Sequence, residues 1–174
     1  TWTIWEQIGN AISRPDQLDF RNCDSSEGLW AATIRYHEGT FYIINTLDVQ
    51  GRTYRYNYIV TAKDPAGPWS DAVIIEGTDG IDPSLFFDQD GKMWYCSNLI
   101  PEDLKFPYHK VIYACELDPE TFQICGEKHI IFDSNVDHTL FTEAPHIYEI
   151  HGMYYLMTAS GGTQTNHCVN IYRS

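Results

Sequence analysis

One short pattern occurs three times in this chain, and it narrows the possible folds more than any other feature. Residues 30–43, 82–95 and 143–156 read WAATIRYHEGTFYI, DPSLFFDQDGKMWY and EAPHIYEIHGMYYL. Aligned without gaps, each is an apolar run, a short polar turn with glycine at its tenth position (Gly39, Gly91, Gly152), and a second run rich in Tyr, Phe and Ile. A tight hairpin turn needs positive φ, which glycine adopts at no steric cost, and Asp90-Gly91 is the strongest hairpin signal of the three. The pattern predicts three β-hairpins of one design.

Further strand-like runs lie between the hairpins at 56–62, 72–76, 111–117 and 129–132, separated by turn chemistry such as Asp64-Pro65-Ala66-Gly67-Pro68 and Asp118-Pro119-Glu120-Thr121. That makes about four strands per repeat. The turn glycines are 91 − 39 = 52 and 152 − 91 = 61 residues apart, a period suited to the four-stranded blades of a β-propeller. No long helical periodicity competes. A β-sandwich would also have many short strands, but it does not predict one hairpin repeated with the same turn position. The expected fold is all-β, a partial propeller of about three blades at 30–76, 82–132 and 143–174, the last incomplete, with a leading strand at 5–8 left from a blade before. A closed propeller needs at least four blades. The chain therefore reads as truncated at both ends, or as completed by other chains, and its open blade edges could support self-association.

Composition removes several functions. Asp and Glu outnumber Lys and Arg by 24 to 11, for a formal charge of −13, and the basic residues are scattered. No patch for a phosphate backbone or an anionic membrane surface is expected. The five cysteines, Cys23, Cys96, Cys115, Cys125 and Cys168, form no C-x-x-C pair and suggest reduced thiols, not a disulfide framework or a zinc site. The histidines lack metal-ligand spacing, and neither metal nor cofactor is expected. The sequence holds no N-x-S/T acceptor, which leans toward the cytoplasm; it begins Thr1-Trp2-Thr3-Ile4-Trp5 without an initiator Met, so a targeting segment could precede it.

The first position of the repeat carries the chemistry. In a propeller the first strand of each blade lines a central channel, so residues at its leading end face a shared axis. Trp30, Asp82 and Glu143 occupy that position. An indole can pack on the C–H face of a sugar ring, and cleaving a glycosidic bond needs one carboxylic acid to protonate the departing oxygen and one carboxylate acting opposite. Taken singly, each residue has an ordinary use: Asp82-Pro83 as a turn, Glu143 as a surface acid, Trp30 as core. Their common register favours a carbohydrate site. His146, three residues after Glu143, joins them as a substrate-binding candidate.

Longer motifs carry a family resemblance. Trp5-Glu6-Gln7-Ile8-Gly9-Asn10-Ala11-Ile12-Ser13-Arg14-Pro15, Gly28-Leu29-Trp30-Ala31 with Thr33-Ile34-Arg35-Tyr36-His37, Gly80-Ile81-Asp82-Pro83-Ser84, and Glu143 with Pro145-His146 follow one another as in glycoside hydrolase family 43. The chain resembles its β-xylosidase and α-L-arabinofuranosidase branch. The resemblance implies a five-bladed propeller and an inverting acid/base mechanism on xylose- or arabinose-containing oligosaccharides, with Glu143 as general acid, Asp82 as the accessory acid that tunes it, and Trp30 as a wall of the sugar subsite. Non-catalytic sugar binding and an arabinanase-like specificity are the alternatives. Three residues depart from the family's habit: Ala32 replaces a usual Pro, Ala144 a usual Gly, and Ser160 a frequent acid. The family's general-base Asp lies upstream of the segment matched here, so these 174 residues are expected to be inactive by themselves.

Overall fold

The computed structural model describes residues 4–50 and 53–174, and among these it contains strands and turns but no helix. Three antiparallel sheets follow one another along the chain. The first comprises β1 (Gly28–Leu29), β2 (Thr33–His37), β3 (Thr40–Val49), β4 (Tyr54–Ala62) and β5 (Val73–Ile74). The second comprises β6 (Ser84–Phe87), β7 (Met93–Leu99), β8 (Val111–Leu117) and β9 (His129–Asp133), and the third β10 (Glu143–Ile150), β11 (Met153–Ser160) and β12 (Cys168–Arg173). These are the three expected blades. The first has five strands because its inner strand breaks at 30–32: β2 pairs with the first half of β3, and β1 with the second.

All three repeat glycines have positive φ, at 76°, 85° and 78° for Gly39, Gly91 and Gly152. Glu38-Gly39 and His151-Gly152 are two-residue loops between paired His37 and Thr40, and between paired Ile150 and Met153. Both central residues have positive φ, as a type I′ hairpin turn requires. The Asp90-Gly91 hairpin is wider. Its loop closes where the Asp88 amide donates to the Lys92 carbonyl at 2.9 Å and the Gly91 amide to the Asp88 carbonyl at 3.1 Å.

The expected leading strand does not form. Residues 4–10 carry no strand, and Ile4, Trp5 and Ile8 are exposed. An extended segment becomes a strand only beside another, and among the described residues none pairs with this one.

The blades are joined unequally. Ile44, Ile59 and Ile75 of the first blade interlock with Leu85, Met93, Tyr95, Tyr113 and Leu117 of the second in one buried cluster. Full burial of such side chains is worth roughly 1.5–3 kcal/mol each, so this seam is the strong joint. A second cluster packs Leu18 and Trp69 over Leu47, Val49, Tyr58 and Val60 on the other face of the first blade. The seam between the second and third blades holds an apolar cleft of about 630 Å³ beside Phe86, Trp94, Phe132, Tyr154 and Tyr172. Aromatic and polar contacts span it: Phe132 on Tyr172, Tyr154 to Asp88, and Gln89 to Glu149.

The segment leading into β6 is bolted to the second blade. Ser97 Oγ and Asn98 Nδ2 both donate to the Ile81 carbonyl at 2.9 Å. The Asp79 amide donates to Tyr113 Oη at 2.9 Å, and Tyr113 Oη donates to the Asp79 carbonyl at 3.0 Å. Gly80 allows this approach, since it has φ of 77° and a Cβ there would lie 1.8 Å from the Asn98 carbonyl oxygen. Gly80→Ala is expected to destabilise the chain by at least about 2 kcal/mol in urea unfolding, because both backbone strain and overlap with an immobile carbonyl oppose it. A neutral effect would show that this segment is loosely held.

Candidate active site

Glu143 opens β10, and the strand is irregular just after it. Glu143 pairs with Ala159 and His146 with Met157, so Ala144 and Pro145 together face Thr158 alone. This is a β-bulge, which bends a strand and re-aims its side chains. Ala144 within it has φ of 49°, a left-handed conformation that costs an alanine roughly 1–2 kcal/mol. Buried Ser84 holds the bulge from the neighbouring blade through a hydrogen bond from its Oγ to the Pro145 carbonyl.

Asp82 sits two residues before β6, at the end of the bolted segment, with φ of 52°. Aspartate tolerates this region better than most residues. Burial, together with the negative charge of Glu143, pushes its carboxyl up to about 6, and the positive charge of Lys110 offsets part of the rise. Lys110 approaches Glu143 and acts on Asp82 through its charge. Its Nζ is 3.4 Å from Glu143 Oε1 and donates to Asn98 Oδ1 at 3.1 Å. Asp82 and Glu143, predicted from their shared repeat position, thus come together as an interacting pair on adjacent blades.

Trp30 and His146 have different partners. Trp30 lies in the gap between β1 and β2, its amide donating to the Thr46 carbonyl at 3.1 Å and its ring carrying the Arg55 guanidinium at 5.5 Å. Arg55 and Lys110 line one cavity of about 420 Å³ with Gly80, Ile81, Asn98 and Glu102. His146 is tied to Arg35, which donates from Nη2 to His146 Nδ1 at 2.8 Å and from Nε to the Leu85 carbonyl at 3.0 Å. Arginine has no acceptor, so Nδ1 must be the unprotonated nitrogen. Burial first, and Arg35 second, hold His146 below the usual histidine range. Among the described residues no group of three His, Cys, Asp or Glu is placed to hold a metal.

Comparison with known proteins gives this geometry a context. The model for "Glycosyl hydrolases family 43" matches residues 2–174. The chain belongs to this family. It is 40% identical over 173 residues to a xylosidase/arabinosidase of Butyrivibrio fibrisolvens, covering 98% of this chain and 32% of that protein. It is 38% identical over 171 residues to a non-reducing end α-L-arabinofuranosidase of Bacteroides ovatus, covering 98% and 30%. Among solved structures, a family 43 protein from a capybara gut metagenome superposes with a TM-score of 0.88 at 38% identity, covering 98% of this chain and 32% of that one. The chain thus spans about a third of the length of the relatives it matches.

Family 43 membership agrees with the repeated four-stranded design, but sequence reading missed Lys110, Asn98, Arg55 and Arg35. The first three lie outside the repeated hairpins, where register gave no guide. Arg35 left a trace: it is a charged residue on the same strand face as Thr33, which is buried.

The left-handed alanine supplies a test of the bulge. Ala144→Gly, toward the family's usual residue, is expected to stabilise the chain by up to about 1 kcal/mol in chemical denaturation, since relief of strain exceeds glycine's entropic cost. The usual destabilisation by glycine would mean that the bulge is not strained.

Proposed function

We propose that this chain supplies the acid side of an inverting, exo-acting glycosidase for xylose- or arabinose-containing oligosaccharides. Glu143 is the general acid, Asp82 the accessory carboxyl that tunes it, and Trp30 and His146 flank the sugar. One observation carries the reading: two carboxyl groups from adjacent blades interact, one of them raised to about 6 by burial and by the other, and Lys110, 3.4 Å from Glu143, lines an adjoining cavity. Asp82 therefore keeps its proton to a higher pH than an ordinary carboxyl does, close to Glu143. Glu143 reaches farther on its longer side chain, which is 23% exposed at the head of β10. It is the member able to meet a departing glycosidic oxygen.

An inverting mechanism also needs a carboxylate that activates water on the opposite face of the sugar. That base is proposed to come from polypeptide outside residues 1–174, and the 174 residues are expected to be inactive alone. They are also proposed to self-associate through the third blade, where Val169 and Ile171 of the edge strand β12 are 60% and 68% exposed.

Glu143→Gln in the intact gene product is expected to cost at least about a hundredfold in kcat on a xyloside or arabinoside with a poor leaving group, and far less on an activated aryl glycoside. Only the poor leaving group needs the proton in the transition state. Equal losses would assign Glu143 to binding. The isolated chain, assayed in parallel with size-exclusion and light scattering, is expected to show no turnover and a mass above the monomer; an active monomer would overturn this account of the base and the edge.

A further inference from the structure

Building on the proposed acid/base reading, we infer that Lys110 is the positioning residue of the carboxyl pair, orienting Glu143 and setting the pH at which the pair gives up its proton. The ammonium is built into the fold. The Lys110 amide donates to Ser134 Oγ at 3.3 Å, and the Ser134 amide donates back to the Lys110 carbonyl at 3.2 Å. The preceding residue, His109, is buried; its Nδ1 accepts from the Lys105 amide at 3.3 Å and its Nε2 meets Asp133 Oδ1 at 2.6 Å. Asn98, itself fully buried and anchored on the Ile81 carbonyl, receives one Lys110 N–H, and Ile81 immediately precedes Asp82. One linked set of hydrogen bonds therefore fixes both the cation and the backbone carrying the accessory acid.

Charge counting says what this cation does. Two ionised carboxyls and one ammonium sum to −1, and a single proton makes the cluster neutral. Without Lys110 the pair would retain that proton to higher pH, because no opposite charge would favour its ionised form. The other charged groups nearby do not substitute for it. Arg35 is committed to the Leu85 carbonyl and to His146, Arg55 lies over Trp30 and 3.5 Å from Asp48, and Asp79 is paired with Lys128 at 2.6 Å. Glu102, on the cavity wall, adds only negative charge.

The test is the pH dependence of kcat/KM for the intact protein with Lys110→Met, Lys110→Gln and Lys110→Arg. Glutamine keeps a donor for Glu143 and Asn98 but no charge. Both neutral variants are expected to move the basic limb upward by about one pH unit, with Lys110→Arg returning it toward wild type. A basic limb unmoved in both would overturn the inference, as would a shift in Lys110→Met alone, which would assign the effect to hydrogen bonding. Carboxyl ¹³C titration of the ligand-free protein, assigned with Asp82→Asn and Glu143→Gln, reads the same quantity without turnover. If the wild type cleaves no pentoside yet the carboxyl midpoints rise in Lys110→Gln, the catalytic reading fails and this inference stands. Midpoints unchanged by the substitution would refute the inference whether or not the protein is active.

Discussion

Arg35 reaches across three blades. Its guanidinium leaves β2, donates to a carbonyl of β6 and to a histidine of β10, and lies 5.6 Å from the centre of the Tyr148 ring. Asp82 and Glu143 stand just before or at the head of an inner strand, so the pair exists only while those strands hold their relative positions. Apolar packing secures the first two blades. The third has less of it, with a cleft along its seam, and depends more on directed contacts: Arg35 to His146, Ser84 to the Pro145 carbonyl, Tyr154 to Asp88. A hydrogen bond to a charged group contributes roughly 1.5–3 kcal/mol, enough to set the register of a lightly packed blade.

That framework sustains several unfavourable local states together. Asp82 and Ala144 have left-handed backbones, and Asp82 is half-buried near a like charge. None would persist in a flexible loop. Each is held by neighbours that outnumber it: two side chains on the Ile81 carbonyl, the bulge of β10 against Thr158, and the lysine beside Glu143. Strain concentrated at one end of the inner strands and absorbed by the surrounding sheets is what a site looks like when geometry has been kept at the expense of local stability.

The sequence made the blades legible because hairpins have a strict local grammar, a fixed turn position and an alternating pattern on either side. It singled out Asp82 and Glu143 because they share one place in that grammar. It misled at residues 5–8, where an apolar pattern suggested a strand but no described residue pairs with them, and at residues 30–32, where the inner strand breaks and Trp30 carries Arg55. Lys110 and Asn98 could not be found the same way. Their importance comes from contacts between residues 12 apart (Lys110 to Asn98) and 33 apart (Lys110 to Glu143) in sequence, which no local pattern encodes.

The most direct test of the account asks whether Asp82 is truly held against its own ionisation. Its carboxyl rises from 3.8 to about 6 in the folded chain, so the folded state favours the protonated form, and this contribution to stability is present below 3.8 and lost as pH rises through about 6. Asparagine has the same shape and no proton to lose. Unfolding free energies of wild type and Asp82→Asn, measured by denaturant from about pH 4 to about pH 8, are predicted to diverge progressively in favour of the variant as pH increases. A difference between the two proteins that stays constant over that range would contradict the account, because Asp82 would then be an ordinary carboxylate and the pair at the heads of β6 and β10 would not be coupled.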